Sequence, residues 1–118
     1  ISNAYKKFKD MKADFCFSVT SFPFPIQRAI KINKSGKVGL FQPEHFHSRS
    51  QDLEETYHDA GQFYWGTKQA FNIDISILSK VVIPYILPRH LVQDIDSPED
   101  WTRAEIMHQV IQKMNREM

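Results

Sequence analysis

The run Phe22-Pro23-Phe24-Pro25 limits the fold more than any other stretch of this chain. Two prolines in four residues remove two backbone donors and fix two φ angles, so neither a helix interior nor a central strand can pass through. The run is read as an extended crossing, with regular structure built separately on either side. Before it, Asn3 to Lys12 sets Ala4, Phe8 and Met11 on one face among lysines, the spacing of an amphipathic helix. Asp14 to Thr20 alternates and is rich in Phe and Val, which predicts a strand. After it, Ile26 to Asn33 alternates, Asn33-Lys34-Ser35-Gly36 is a turn, and Lys37 to Phe41 is the return strand of a hairpin.

Residues Gln42 to Tyr57 are polar and irregular, with a load of Arg, Gln and His; a loop of that length is uncommon unless functional. Gly61 to Gly66 is an aromatic strand, in which alternation sends Tyr64 to the face opposite Phe63 and Trp65. Thr67 to Phe71 reads as a short helix, Lys80 to Ile86 as a strand, and Leu91 to Ile95 as a last short strand. The final helix is the clearest element. Ser97 is a good N-cap, Pro98 takes the first helical position, and Asp100 can complete a capping box. Trp101, Ala104, Met107 or His108, Ile111 and Met114 then form an apolar stripe.

This order indicates an α/β layered architecture. It holds too few strand–helix units for a complete doubly wound nucleotide domain. There are only four glycines and no Gly-rich phosphate loop of either familiar spacing. A triphosphate cradle, if this chain serves one, must lie elsewhere.

Charge excludes some partners and leaves others open. The net charge of +1 argues against a general nucleic-acid binder, and no apolar run approaches the roughly 20 residues of a membrane span. Residues 1 to 40 carry eight Lys/Arg against Asp10 and Asp14, while the rest carries seven against twelve acids. Such halves can attract each other within a fold or across a dimer, attract an acidic partner, or simply be solvated. Cys16 is the sole cysteine, so no intrachain disulfide forms, and its neighbours Phe15 and Phe17 point to a buried thiol. With no signal-peptide pattern at the N-terminus, a reducing cytoplasm is the expected compartment.

Three constellations could carry chemistry. Asp94 and Asp96 stand two apart at the end of the expected last strand, where alternate residues point the same way. Two hard carboxylates so placed suit Mg²⁺, which takes one or two protein carboxylates, keeps several waters and binds substrate phosphates. The bland alternative is acidity that solvates the next helix start, but Glu99 and Asp100 already serve that purpose. Arg49 offers a planar fork for a carboxylate or phosphate, and Gln51 offers a donor and an acceptor; surface salt bridging is the alternative. Gly61, among Tyr57 to Trp65, lets the backbone approach another group closely. Zinc held by His45, His47 and His58 is rejected, because no closed ligand set forms with Cys16. A Cys16–His nucleophile fails too, since an apolar strand raises the thiol pKa.

The runs Arg49-Ser50-Gln51-Asp52-Leu53, Tyr57-His58-Asp59-Ala60-Gly61-Gln62-Phe63-Tyr64-Trp65-Gly66 and Val92 to Trp101 together resemble the cytidylyltransferases that activate nonulosonic acids. Phe24-Pro25-Ile26-Gln27-Arg28-Ala29 fits the same family. The resemblance is greatest to the bacterial pseudaminic acid group, with the CMP-sialic acid synthetases as wider relatives, and covers nearly the whole chain. It implies the C-terminal half of a Rossmann-like nucleotide-diphospho-sugar transferase fold over residues 1–118, a mixed sheet with a dimerisation hairpin at residues 26–41, and a homodimer. It implies a reaction in which CTP and the sugar acid give the CMP-sugar and pyrophosphate. Asp94 and Asp96 would then hold Mg²⁺, Arg28, Arg49 and Gln51 the sugar acid, and Gly61, Gln62 and Tyr64 the pocket floor. The family's basic, Gly-containing CTP loop is absent from these residues. The isolated chain is therefore expected to be inactive alone, and a non-catalytic α/β dimerisation fragment is the alternative.

Overall fold

Strand β1 (Phe15–Ser21) has no exposed residue, because it runs through the middle of a sheet covered on both faces. A computed structural model describes residues 1–72 and 81–118. They divide into two units, one made of Ile1–Thr20 with Asp59–Met118 and the other of Ser21–His58. Each is described by itself.

In the first unit β1 lies between β4 (Tyr57–Gly66) and β5 (Val82–Ile86). β5 runs parallel to β1, with Cys16 opposite Ile83 and Ser18 opposite Tyr85. The Thr67 amide donates to Asp14 O at one end of β1, and the Gln62 amide to Ser18 Oγ midway. Rising β4 numbers thus meet falling β1 numbers, so β4 is antiparallel and the sheet is mixed. Pro84 in β5 gives no ladder donor, and that strand lies at a sheet edge, where proline is tolerated. Its carbonyl accepts Lys7 Nζ at 2.8 Å.

Helix α1 (Ser2–Asp10) covers one face of this sheet. Ala4 and Phe8 are buried with Ala13, Cys16 and Ile83, and Phe63, Trp65 and Tyr85 pack against them. Alternation in β4 holds as expected: Phe63 and Trp65 join the helix side, whereas Tyr64 stacks on Phe17 at 5.6 Å. On that second face Phe15 and Phe71 meet edge to face at 5.0 Å, and a Cβ on Gly66 would fall within 3 Å of both rings. Cys16 is fully buried, and burial pushes its thiol above the usual range although Lys7 pulls the other way.

The exit from α1 is a Schellman turn. Ala13 N donates to Phe8 O and Lys12 N to Lys9 O, and Ala13 meets Phe8 in the core. Met11, expected on the apolar face, is instead the C-cap and is exposed. Lys12 sits in the left-handed region at φ 49°, where a Cβ is strained.

In the second unit a short antiparallel pair, β2 (Ile30–Ile32) and β3 (Val38–Leu40), forms the expected hairpin. Asn33 Oδ1 closes its turn by accepting from the amides of Ser35 and Lys37. The strand expected from Ile26 starts late, because Ile26–Arg28 coils into a 3₁₀ turn directly after Pro25. Ile30, Ile32, Val38 and Phe41 are all exposed.

Helix α2 (Pro98–Glu117) begins at the expected capping box, with Asp100 N donating to Ser97 Oγ and Ser97 N to Asp100 Oδ2. Its apolar stripe is only partly covered: Ala104, Met107 and Ile111 are half-buried, while Trp101 and Met114 are exposed. Two expected elements are absent. Thr67 to Phe71 forms hydrogen-bonded turns rather than a helix. Leu91 to Ile95 is not a strand: Arg89–Leu91 is a 3₁₀ turn and residues 92–96 are irregular, because Pro88 starts a turn and β5 has already ended. The Lys80 end of the expected β5 lies outside the described residues.

Lys12→Gly is expected to stabilise the protein by up to about 1 kcal/mol by relieving the left-handed strain, as read from the urea midpoint. Ser97→Ala should cost about 1 kcal/mol at neutral pH. Hydrogen bonds from Asp96 and Ser97 to the Asp100 carboxylate lower its pKa. Its contribution is therefore complete above the ordinary carboxylate range and fades as pH falls through the lowered value. Amide protection factors at residues 96–101, taken against intrinsic exchange at each pH, should fall in that acid window, and Asp100→Asn should remove that fall.

Candidate functional site

A short motif inside β4 builds the site of the first unit. Gly61 has φ +68°, a conformation in which most side chains are strained. Asp59 Oδ1 accepts the Gly61 amide at 2.7 Å, and the next two amides, Gln62 and Phe63, both reach the buried Ser18 Oγ at 3.2 and 3.3 Å. The left-handed Gly61 and two successive amides held by one side-chain oxygen make this stretch of β4 locally irregular.

The Asp94 carboxylate lies close to Gly61. A Cβ on Gly61 would lie 3.7 Å from Asp94 Oδ1 and 3.9 Å from Oδ2, so the carboxylate rests over bare backbone. Tyr64 donates its hydroxyl to Asp59 Oδ2. That hydrogen bond, partial burial and the charges of Asp59 and Asp94 raise the Tyr64 pKa, keeping the phenol protonated as a donor. Gln62 Nε2 donates to Leu91 O at 2.8 Å, pinning the segment that leads to Asp94. Asp94, Gly61 and Tyr64 are thus brought together, with Gln62 as the tie.

Asp96 is placed differently. With no strand at residues 91–95, alternation gives no reason for Asp94 and Asp96 to point alike. The Asp96 amide donates to Asp100 Oδ2 at 3.0 Å, which attaches the residue to the helix cap. Among the described residues no group of three or more His, Cys, Asp or Glu side chains could hold a metal ion. Asp94 and Asp96 are hard oxygen donors, the type of which Mg²⁺ takes one or two when phosphates and water complete its shell.

The second unit holds the other three candidates. Arg28 Nη1 donates to Ser50 Oγ at 3.2 Å, fastening it to the loop that carries Arg49 and Gln51. Arg28 also lines a cleft of about 290 Å³ with Gln27, Ile30, Leu40, Gln42 and Phe46. Arg49 pairs with Asp52 through Nε at 2.9 Å with both side chains exposed, an ion pair worth little in water. Gln51 lies exposed in the 3₁₀ turn Ser50–Asp52.

Asp59 and Ser18 were not singled out from the sequence. A usable signal existed: an Asp two residues before a Gly inside a strand marks a local turn. Ser18 carried none, since a serine in a strand looks the same whether it packs or accepts.

These features sit in a chain related to the cytidylyltransferases, and its mixed α/β structure fits a nucleotidyltransferase fold. No protein-family model matches it. The similarity is to pseudaminic acid cytidylyltransferases in particular. Two from Campylobacter jejuni are 42% identical over 110 residues, which is 93% of this chain and 47% of theirs. A Helicobacter pylori protein named as both pseudaminic acid cytidylyltransferase and UDP-2,4-diacetamido-2,4,6-trideoxy-beta-L-altropyranose hydrolase is 32% identical over 96 residues, 80% of this chain and 18% of that protein. The chain thus spans about half the length of the Campylobacter relatives. Among the described residues no helix is long and apolar enough to cross a membrane.

Gly61→Ala should cost about 1–2 kcal/mol through the left-handed backbone. Ser18→Ala should cost about 1–3 kcal/mol by leaving two inner amides without their acceptor. Denaturant melts of both variants check these values.

Proposed function

We propose that this chain is the metal- and sugar-binding half of an enzyme that makes CMP-pseudaminic acid, or a related CMP-nonulosonic acid, from CTP and the sugar acid. The 42% identity over 93% of the chain carries the reading. In the reaction the anomeric hydroxyl of the sugar attacks the α-phosphorus of CTP in line, the bond to the β-phosphate oxygen breaks, and pyrophosphate leaves. Asp94 and Asp96 would hold Mg²⁺, which when bound neutralises charge on the phosphoryl oxygens. Gly61 lies close to the Asp94 carboxylate, and Tyr64 and Gln62 line the floor beside it. Arg49 and Arg28 would engage the sugar carboxylate through guanidinium hydrogen bonds, and Gln51 a hydroxyl or amide of the sugar. Each holds or orients; none forms a bond to phosphorus.

The exposed apolar side chains of the β2–β3 hairpin support a second reading, in which the 118 residues alone form a non-catalytic dimer. Pyrophosphate release in a chain extended to the relatives' full length separates the two. It should require CTP, Mg²⁺ and the sugar acid, and fall about 10²-fold or more in an Asp94→Asn/Asp96→Asn double variant. Arg49→Ala should raise the sugar-acid KM about tenfold. Normal turnover in the double variant would remove the metal assignment. For the 118 residues alone, a dimeric elution volume without CTP uptake by calorimetry favours the second reading.

A further inference from the structure

We infer that helix α2 pairs antiparallel with the α2 of a second copy of this chain, about a two-fold axis at Val110. The inference is independent of the sugar-activation reading. The helix carries two apolar rows. Ala104, Met107 and Ile111 form an inner row and are half-buried. Ile106, Val110 and Met114 form an outer row, 57%, 53% and 56% exposed. Steps of four residues keep that row on one side of the helix. His90, in the 3₁₀ turn Arg89–Leu91, joins Ile106, Met107, Val110, Ile111 and Met114 around a hollow of about 210 Å³. The remaining side of the helix is polar, with His108, Gln109, Gln112, Lys113 and Arg116 around a separate hollow.

The order of residues along the outer row selects the occupant. It reads as a mirror about Val110: Ile106 and Met114 stand four residues to either side, and Arg103 and Glu117 seven. Seven residues make almost two helical turns, so these two charges share the outer face. An antiparallel copy turned about Val110 sets Ile106 against the second copy's Met114 and Arg103 against the second copy's Glu117. Each contact then occurs twice, as a two-fold interface requires. Parallel pairing would set Arg103 beside Arg103 and Glu117 beside Glu117. Both residues are exposed, and among the described residues neither forms an ion pair of its own; Arg103 acts on Asp100 only through its charge. The outer row is short by the standard of stable dimers. Association is therefore weak and concentration-dependent, and the charges set its register more than its strength.

The test is sedimentation equilibrium of the 118-residue chain from about 10 μM to 1 mM, beside melting curves. The unaltered chain should shift from monomer toward dimer across that range. Val110→Lys puts two ammonium groups at the axis and should abolish the shift, whereas Ile32→Asp in the β2–β3 hairpin should leave it. Arg103→Glu and Glu117→Arg each set like charges together and should weaken association about tenfold. The Arg103→Glu/Glu117→Arg double variant restores opposite pairs at the original net charge, and should regain the original affinity. A monomer at every concentration, or unchanged association in Val110→Lys, overturns the pairing. Association lost in Ile32→Asp but kept in Val110→Lys overturns it in favour of the hairpin. Unchanged association in both single charge variants overturns the antiparallel register. If Val110→Lys lowers the melting temperature, the charge variants decide: weakening in both singles with recovery in the double supports the pairing, and no recovery overturns it.

Discussion

The buried hydroxyl of Ser18 is the contact on which the rest of the first unit depends. It stands in β1, which has no exposed residue, and there an unpaired polar atom is costly. It is tolerated there because β4 delivers two amides to it. The inner serine and this stretch of β4 are thus joined by two hydrogen bonds, and Asp94 lies close to Gly61 beside them.

This coupling joins packing to chemistry through a short chain of contacts. Cys16, on the helix-facing side of β1, anchors the core with Phe8 and Ala13. Two residues on, Ser18 shapes β4. Another two on, Thr20 Oγ1 donates to Leu87 O at 2.7 Å, fixing where β5 ends. The 3₁₀ turn Arg89–Leu91 follows, and Gln62 grips the Leu91 carbonyl. The irregular segment holding Asp94 is thereby tied on one side by Gln62 and on the other by the Ser97–Asp100 cap. It needs no strand of its own to be held in place.

The elements read best from sequence were those whose cause is local. The capping box needs only Ser97 and Asp100 three residues apart. The hairpin turn needs Asn33 to reach amides two and four residues on. Tyr64 faces away from Phe63 and Trp65 because neighbouring strand residues point to opposite faces. The misread elements depended on distant partners. Leu91 to Ile95 has strand-like composition but pairs with no strand, so its alternation led nowhere. Thr67 to Phe71 lacks the length for a stable helix and is occupied with ring packing beside Gly66. The α2 stripe was legible as a pattern, yet a pattern does not show how much cover it meets.

By itself the sequence determined the local grammar of this protein: the capped helix, the hairpin turn, the break in regular structure at Phe22 to Pro25, the buried thiol, and a resemblance that relatives 42% identical support. The tertiary structure alone decided which carboxylate sits where. Asp94 and Asp96 look equivalent when they stand two apart in a written chain. Folded, Asp94 lies on Gly61 from a strand some thirty residues earlier, and the Asp96 backbone is tied to the helix cap. The reason is physical. A hydrogen bond to a near neighbour is set by spacing, whereas a contact across the sheet exists only once β1 has brought β4 and β5 to either side of it.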